Sequence, residues 1–212
     1  MFKLIASNIV IVAQNLNPSI FSQLWLIRNQ VFQEDEFKGD FYFSPAAVNV
    51  KGQAAELLVV PERLQLTVTQ ADNQDEVIKL ILTKVVTALP HTPYKAVGFN
   101  FEWISEPVDK VKFPQVIREM FVSDRNPLAR FFAAEDSRFG IYMSTDVGNM
   151  RLRLDVKPLP EEALRFSFNF HQGLDPENAV DMIVTMLDDW PTARDLSEKI
   201  VKEASQGWSL PE

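Results

Sequence analysis

The chain has 212 residues, 46% of them hydrophobic, with 21 Lys and Arg against 29 Asp and Glu for a formal charge of −8. That is enough to bury a sizeable core, as one large domain or two small ones. The absence of cysteine excludes disulfides, thiol nucleophiles and Cys-ligated metals, and the acidic balance taken as a whole repels nucleic acid and anionic lipid.

The opening MFKLIASNIVIVAQN carries one basic residue, Lys3, and its apolar run is interrupted by Ser7 and Asn8, so it reads as a strand rather than a secretory leader. Within it IVIVA is β-branched and apolar on both faces, which predicts a central strand buried on both sides. Asn17 as N-cap and Pro18 at the first helical position then predict a helix, with a stripe of Ile20, Phe21, Leu24, Trp25, Ile27, Val31 and Phe32. The acidic run Glu34-Asp35-Glu36 reads as a solvated loop.

Short strands are predicted around 41–43, 48–51, 54–60 and 63–69. The last, RLQLTVT, alternates with Leu64, Leu66 and Val68 inward and Arg63, Gln65, Thr67 and Thr69 outward. A helix over 74–89 follows, capped by Asp72, with Val77, Ile78, Ile81, Leu82 and Val85 buried and Pro90 closing it. The strand AVGFNFEW comes next, and the polar stretch SEPVDKVK after it marks a boundary. It divides the chain into α+β halves of residues 1–106 and 107–212, or joins them as one continuous domain.

Pro114 opens a further helix, LARFF reads as a turn, and strands are predicted over 138–144, 150–157 and 163–171. Two helices, Asn178–Trp190 and one running from Pro191 to about Ala204, precede the tail GWSLPE. No stretch approaches the ~20 apolar residues of a membrane span, so the expected setting is cytoplasmic without membrane association. The fold class is α+β, with mostly antiparallel sheet and helices packed on one face. Two similar halves would fit one extended curved sheet.

The pairs RLQLTVT with RLRLDVK and FNFE with FNFH resemble each other, but a helix separates RLQLTVT from FNFE, whereas only the link PLPEE separates RLRLDVK from FNFH and the helix follows, so any repeat is weak. The two-residue strand period puts Phe99, Phe101, Phe168 and Phe170 under helices and turns Asn100 and Asn169 to the other sheet face. Glu102, Arg151, Arg153, Asp155, Arg165, Ser167 and His171 share that face, joined by the outward residues of RLQLTVT.

Candidate binding residues are therefore Asn100, Glu102, Arg151, Arg153, Arg165, Asn169 and His171. No phosphate-cradling loop, dinucleotide fingerprint or nucleophile elbow is present. The histidines are His91, in a proline-flanked turn, and His171. Asp188-Asp189 reads as solvated charge. No cofactor, metal or catalytic residue is expected. The leading expectation is a non-enzymatic interaction or assembly protein, a subunit of a homo- or hetero-oligomer. It would bind a protein partner, or itself, through the polar sheet face or an apolar edge. The alternative is a small-molecule enzyme or ligand-binding domain around Glu102, Asn169 and His171. A third reading, nucleic-acid binding through Arg151, Arg153 and Arg165, is disfavoured, because the aromatic residues of these strands alternate toward the core.

Overall fold

A computed structural model describes residues 2–38, 41–69, 73–106, 113–122, 131–132 and 137–206. The strands are β1 (Phe2–Ala13), β2 (Phe41–Phe43), β3 (Val48–Lys51), β4 (Ala55–Val60), β5 (Arg63–Val68), β6 (Tyr94–Ser105), β7 (Ile141–Val147), β8 (Met150–Pro158) and β9 (Leu164–Gly173). The helices are α1 (Gln23–Arg28), α2 (Gln74–Ala88), α3 (Phe113–Phe121), α4 (Ala179–Met186) and α5 (Trp190–Gln206). The strands form one open antiparallel sheet of nine in the order β2-β3-β4-β5-β1-β6-β9-β8-β7. Helices and sheet make the chain α+β, as the alternating periods imply. None of the described helices is long and apolar enough to cross a membrane.

The chain divides into two compact units, each built from several segments. The first comprises residues 1–6, 101–169 and 194–212, and the second residues 7–100 and 170–193. Strands β1, β6 and β9 each contribute part of their length to both.

In the second unit, Ile9 and Ile11 of β1, Leu57 and Val59 of β4, and Leu64 and Leu66 of β5 are almost fully buried. They share this core with Ile78, Leu82 and Val85 of α2, which packs on β5 and against α4. Phe99 meets the indole of Trp190 edge-on, with ring centres 5.4 Å apart, a geometry aromatic quadrupoles favour. In the first unit, Phe101, Trp103, Leu152, Leu154, Phe166 and Phe168 are buried with Phe113 and Ile117 of α3 and Val201 of α5. Trp103 Nε1 donates to Ser197 Oγ of α5 at 3.0 Å, and the Ser105 and Ser205 hydroxyls lie 2.7 Å apart.

Several local expectations need correction. The helix expected after Asn17 is interrupted. Asn17 Oδ1 does accept from the Ser19 N–H at 3.0 Å and Pro18 does start a turn, but that turn is a 3₁₀ piece over Pro18–Ile20. The chain then restarts at Ser22, whose hydroxyl caps the six-residue α1. Two caps five residues apart leave Ile20 and Leu24 exposed, so the assumed stripe is broken.

β1 is central in the sheet order, yet Val12 is 38% exposed and Val10 half-buried. One of its faces is therefore open. The acidic run is structured as well: Glu36 accepts from the Gln33 N–H at 2.7 Å and the Gln53 N–H at 3.3 Å. Asp188 stays exposed and ion-pairs with Lys79 of α2. The expected cap Asp72, residues 107–112 of the expected boundary, residues 128–130 of the LARFF turn and the tail from 207 lie outside the described residues.

Candidate interaction surface

Strand alternation distributes the candidate residues as expected at the level of facing. Phe99, Phe101, Phe168 and Phe170 are at most 2% exposed, whereas Asn100 and Asn169 are half-buried. In the second unit, Asn100 Nδ2 donates to Asn8 Oδ1 at 2.9 Å. Cross-strand register extends this pair into a polar row, since Asn8 faces Thr67, Thr67 faces Glu56 and Glu56 faces Lys51. Beside it runs a less polar row in which Val10 faces Gln65, Gln65 faces Leu58 and Leu58 faces Asn49. His171, near the end of β9, is half-buried. Asn8 was missed as a site residue, although its polar side chain in the apolar run ASNIVIV was the available signal.

In the first unit, Glu102 of β6 and Arg165 and Asn169 of β9 are half-buried, while Arg151 and Arg153 of β8 are exposed. The Arg165 Nε is buried and meets no hydrogen-bond acceptor among the described residues. Arg151, Arg153 and Asp155 follow at two-residue steps along β8 and so share one face. Asp155 pairs with Lys157 of the same strand at 2.5 Å.

The hairpin of β7 and β8 is the most distinctive part of this unit. β7 runs to Val147, later than the sequence reading placed it, because Gly148-Asn149 makes a two-residue turn closed by Val147 and Met150. Gly148 takes φ +57°, which a residue without Cβ adopts freely. On one face of the hairpin Tyr142 lies opposite Asp155, Ser144 opposite Arg153 and Asp146 opposite Arg151. Arg151 and Asp146 form an ion pair at 3.0 Å.

On the other face Met143 lies opposite Leu154 and Thr145 opposite Leu152. The two strands are covered unequally. Leu152 and Leu154 of β8 are 5% and 4% exposed, but Met143 of β7, on the same face, is 45% exposed. A cavity of about 350 Å³ opens on this side, lined by Met143, Ser144, Thr145, Leu152, Leu154 and Ile200 of α5. The helix thus reaches β8 and leaves β7 overhanging an apolar recess.

A second cavity, of about 340 Å³, lies in the other unit between Pro18, Phe21, Phe43 and Pro45. Two hydroxyls on its wall are already engaged: Ser22 Oγ accepts from the Trp25 N–H, and Ser44 Oγ holds its own turn to Ala47. Neither cavity is lined by any of the seven candidate residues.

Tyr94, at the start of β6, is 2% exposed. Burial pushes its phenol up to about 12; Thr92 offsets the shift in part, without reaching hydrogen-bond geometry. A phenol held neutral in this way is a structural group rather than a base at neutral pH. No protein-family model matches the chain, and no curated protein matches it.

Proposed function

We propose that the protein is a non-enzymatic assembly subunit that takes a protein strand along the outer edge of β7. The observation that carries this reading is the character of that edge. β7 closes the strand order, is seven residues long, and exposes Met143 beside the apolar recess and Tyr142 on the opposite face. Sheet edges offer unpaired N–H and C=O groups, and proteins usually blunt them with proline, lysine or short length. β7 contains no proline or lysine, and its one charge, Asp146, is already paired with Arg151. The other end of the strand order, β2, has three strand residues among those described, and short length is one way that proteins protect an edge. An added strand would gain backbone hydrogen bonds from β7 and apolar contact from the recess, the usual two components of strand addition.

A photo-crosslinking residue placed at Tyr142 in the native cell tests the reading. A discrete crosslinked protein species is the expected result. Absence of any adduct, with efficient crosslinking from a control site inside a known complex, would count decisively against it.

A further inference from the structure

From the charge pattern of the hairpin we infer that the strand taken by β7 is β7 of a second copy, paired antiparallel about a twofold axis between the two Thr145 residues. This rests on the reading of β7 as a docking edge and adds the identity of the occupant.

The backbone sets which residues can pair. In a hairpin with a two-residue turn the closing residues, here Val147 and Met150, form a hydrogen-bonded pair. Ladder alternation then turns the N–H and C=O groups of Tyr142, Ser144 and Asp146 away from β8. An antiparallel twofold must match members of this set.

Side chains select the register. With Thr145 facing its own copy, Ser144 faces the second copy's Asp146. The row across the four strands becomes Arg153, Ser144, Asp146 and Arg151, with the last two from the other copy, and symmetry repeats it in reverse. Arg153 is exposed and makes no ion pair or hydrogen bond among the described residues. Two strand spacings are about 10 Å, a gap that an extended arginine and an aspartate close over the small serine between them. Each Asp146 is then held between its own Arg151 and the other copy's Arg153.

The remaining pairs agree. Thr145 meets Thr145, a favourable cross-strand pair, and Met143 meets Val147 beside the apolar recess. Tyr142, 62% exposed, falls opposite Gly148, where a Cβ would touch nothing within 4 Å; aromatic rings commonly cover such glycines across strands. The neighbouring registers are poorer in charge. Centring on Ser144 adds one backbone pair but leaves both Arg153 side chains unmatched. Centring on Asp146 opposes two carboxylates directly, which is destabilising.

Sedimentation equilibrium of the purified chain at moderate salt, across a hundredfold concentration range, tests the inference. Moderate salt matters because each copy carries a formal charge of −8. A reversible monomer–dimer equilibrium is expected. Arg153→Glu should raise the dissociation constant about tenfold. The triple exchange Asp146→Lys, Arg151→Glu, Arg153→Glu reverses every sign in the row and should restore the dimer. Ser144→Pro removes an outward N–H, is tolerated at a free edge, and should give a folded monomer.

A wild-type chain that stays monomeric overturns the inference, as does a dimer indifferent to Arg153→Glu and Ser144→Pro. A monomeric pure chain that still crosslinks through Tyr142 to another protein in cells removes the second copy and leaves the docking edge standing. A monomer with no crosslink removes both.

Discussion

Asn100 and Phe101 are adjacent residues with opposite energetic roles. Phe101 is fully buried, so Phe101→Ala should cost about 3–5 kcal/mol in a denaturant melt through lost transfer energy and a residual cavity. Asn100 is half-buried and gives its amide to Asn8. Asn100→Ala should cost about 1 kcal/mol, because water can reach the abandoned Asn8 oxygen. A double-mutant cycle with Asn8→Ala should return a coupling of at least about 0.5 kcal/mol; strict additivity would show that the pair contributes nothing. The facing of both residues was legible from the two-residue period of FNFE. The partner was not, since Asn8 lies 92 residues away and local pattern carries no information on pairing at that distance.

Tyr94 supplies a second test at this scale. Its folded value near 12 stands above the ordinary 10, so the stabilisation from keeping it neutral is fully present below pH 10 and lost as pH rises toward 12. The loss is on the order of 2 kcal/mol. Tyr94→Phe removes both this term and a buried hydroxyl without a partner, so it should be at least as stable as wild type near neutrality and widen its advantage above pH 10. Parallel alkaline limbs for the two proteins would refute the assignment.

α5 shows how an element is fixed in register. Ser197, Val201 and Ser205 are spaced by four, which places them on one face of the helix. Val201 is fully buried between two hydroxyl contacts to β6, the Trp103–Ser197 bond and the Ser105–Ser205 pair. Both serines also donate back to their own helix, Ser197 to the Arg194 carbonyl and Ser205 to that of Val201. Ser197→Ala strands the buried indole N–H and should cost about 1–3 kcal/mol in a denaturant melt. A cost within error of zero would mean that the indole finds another acceptor.

The helix itself was visible from Pro191 onward, but the inward contacts of its serines were not, because an apolar stripe is the signal that periodicity detects. α1 failed for the converse reason. Asn17-Pro18 is a sound start signal, yet Ser22 offers a second one, and capping preferences alone do not rank two competing starts. Glu36 was lost in the same way: an acidic triplet looks solvated until a distant loop, here Gln53, brings an N–H to it.

At the scale of the whole molecule, the α+β class and most strand positions followed from alternation, while strand order did not. That β1 lies between β5 and β6 is set by long-range pairing. The two compact units also interleave along the chain, which bears on any attempt to isolate one. A fragment of residues 1–106 keeps β1 to β6 and α2 but lacks residues 170–193, which belong to the second unit and include α4, against which α2 packs. The fragment should expose the apolar face of α2 and give a poorly dispersed spectrum or aggregate, whereas addition of 107–212 should restore order. A well-dispersed spectrum from 1–106 alone would show that α4 is dispensable.

The division of β1 between Ala6 and Ser7 also has a consequence in time. Residues 8–12 pair with β5, so their neighbours exist once the first third of the chain has been made. Residues 2–6 belong to the unit completed by 194–206, and Phe2 packs on Trp103, with ring centres 5.9 Å apart. At ordinary ribosomal speeds the whole chain takes on the order of 10–40 seconds to emerge. A single strand thus settles in two instalments: its leading end meets Trp103 only at about the midpoint of synthesis, and the unit around it is completed by 194–206 near the end. During synthesis those few residues are the stretch for which a holding chaperone would matter most.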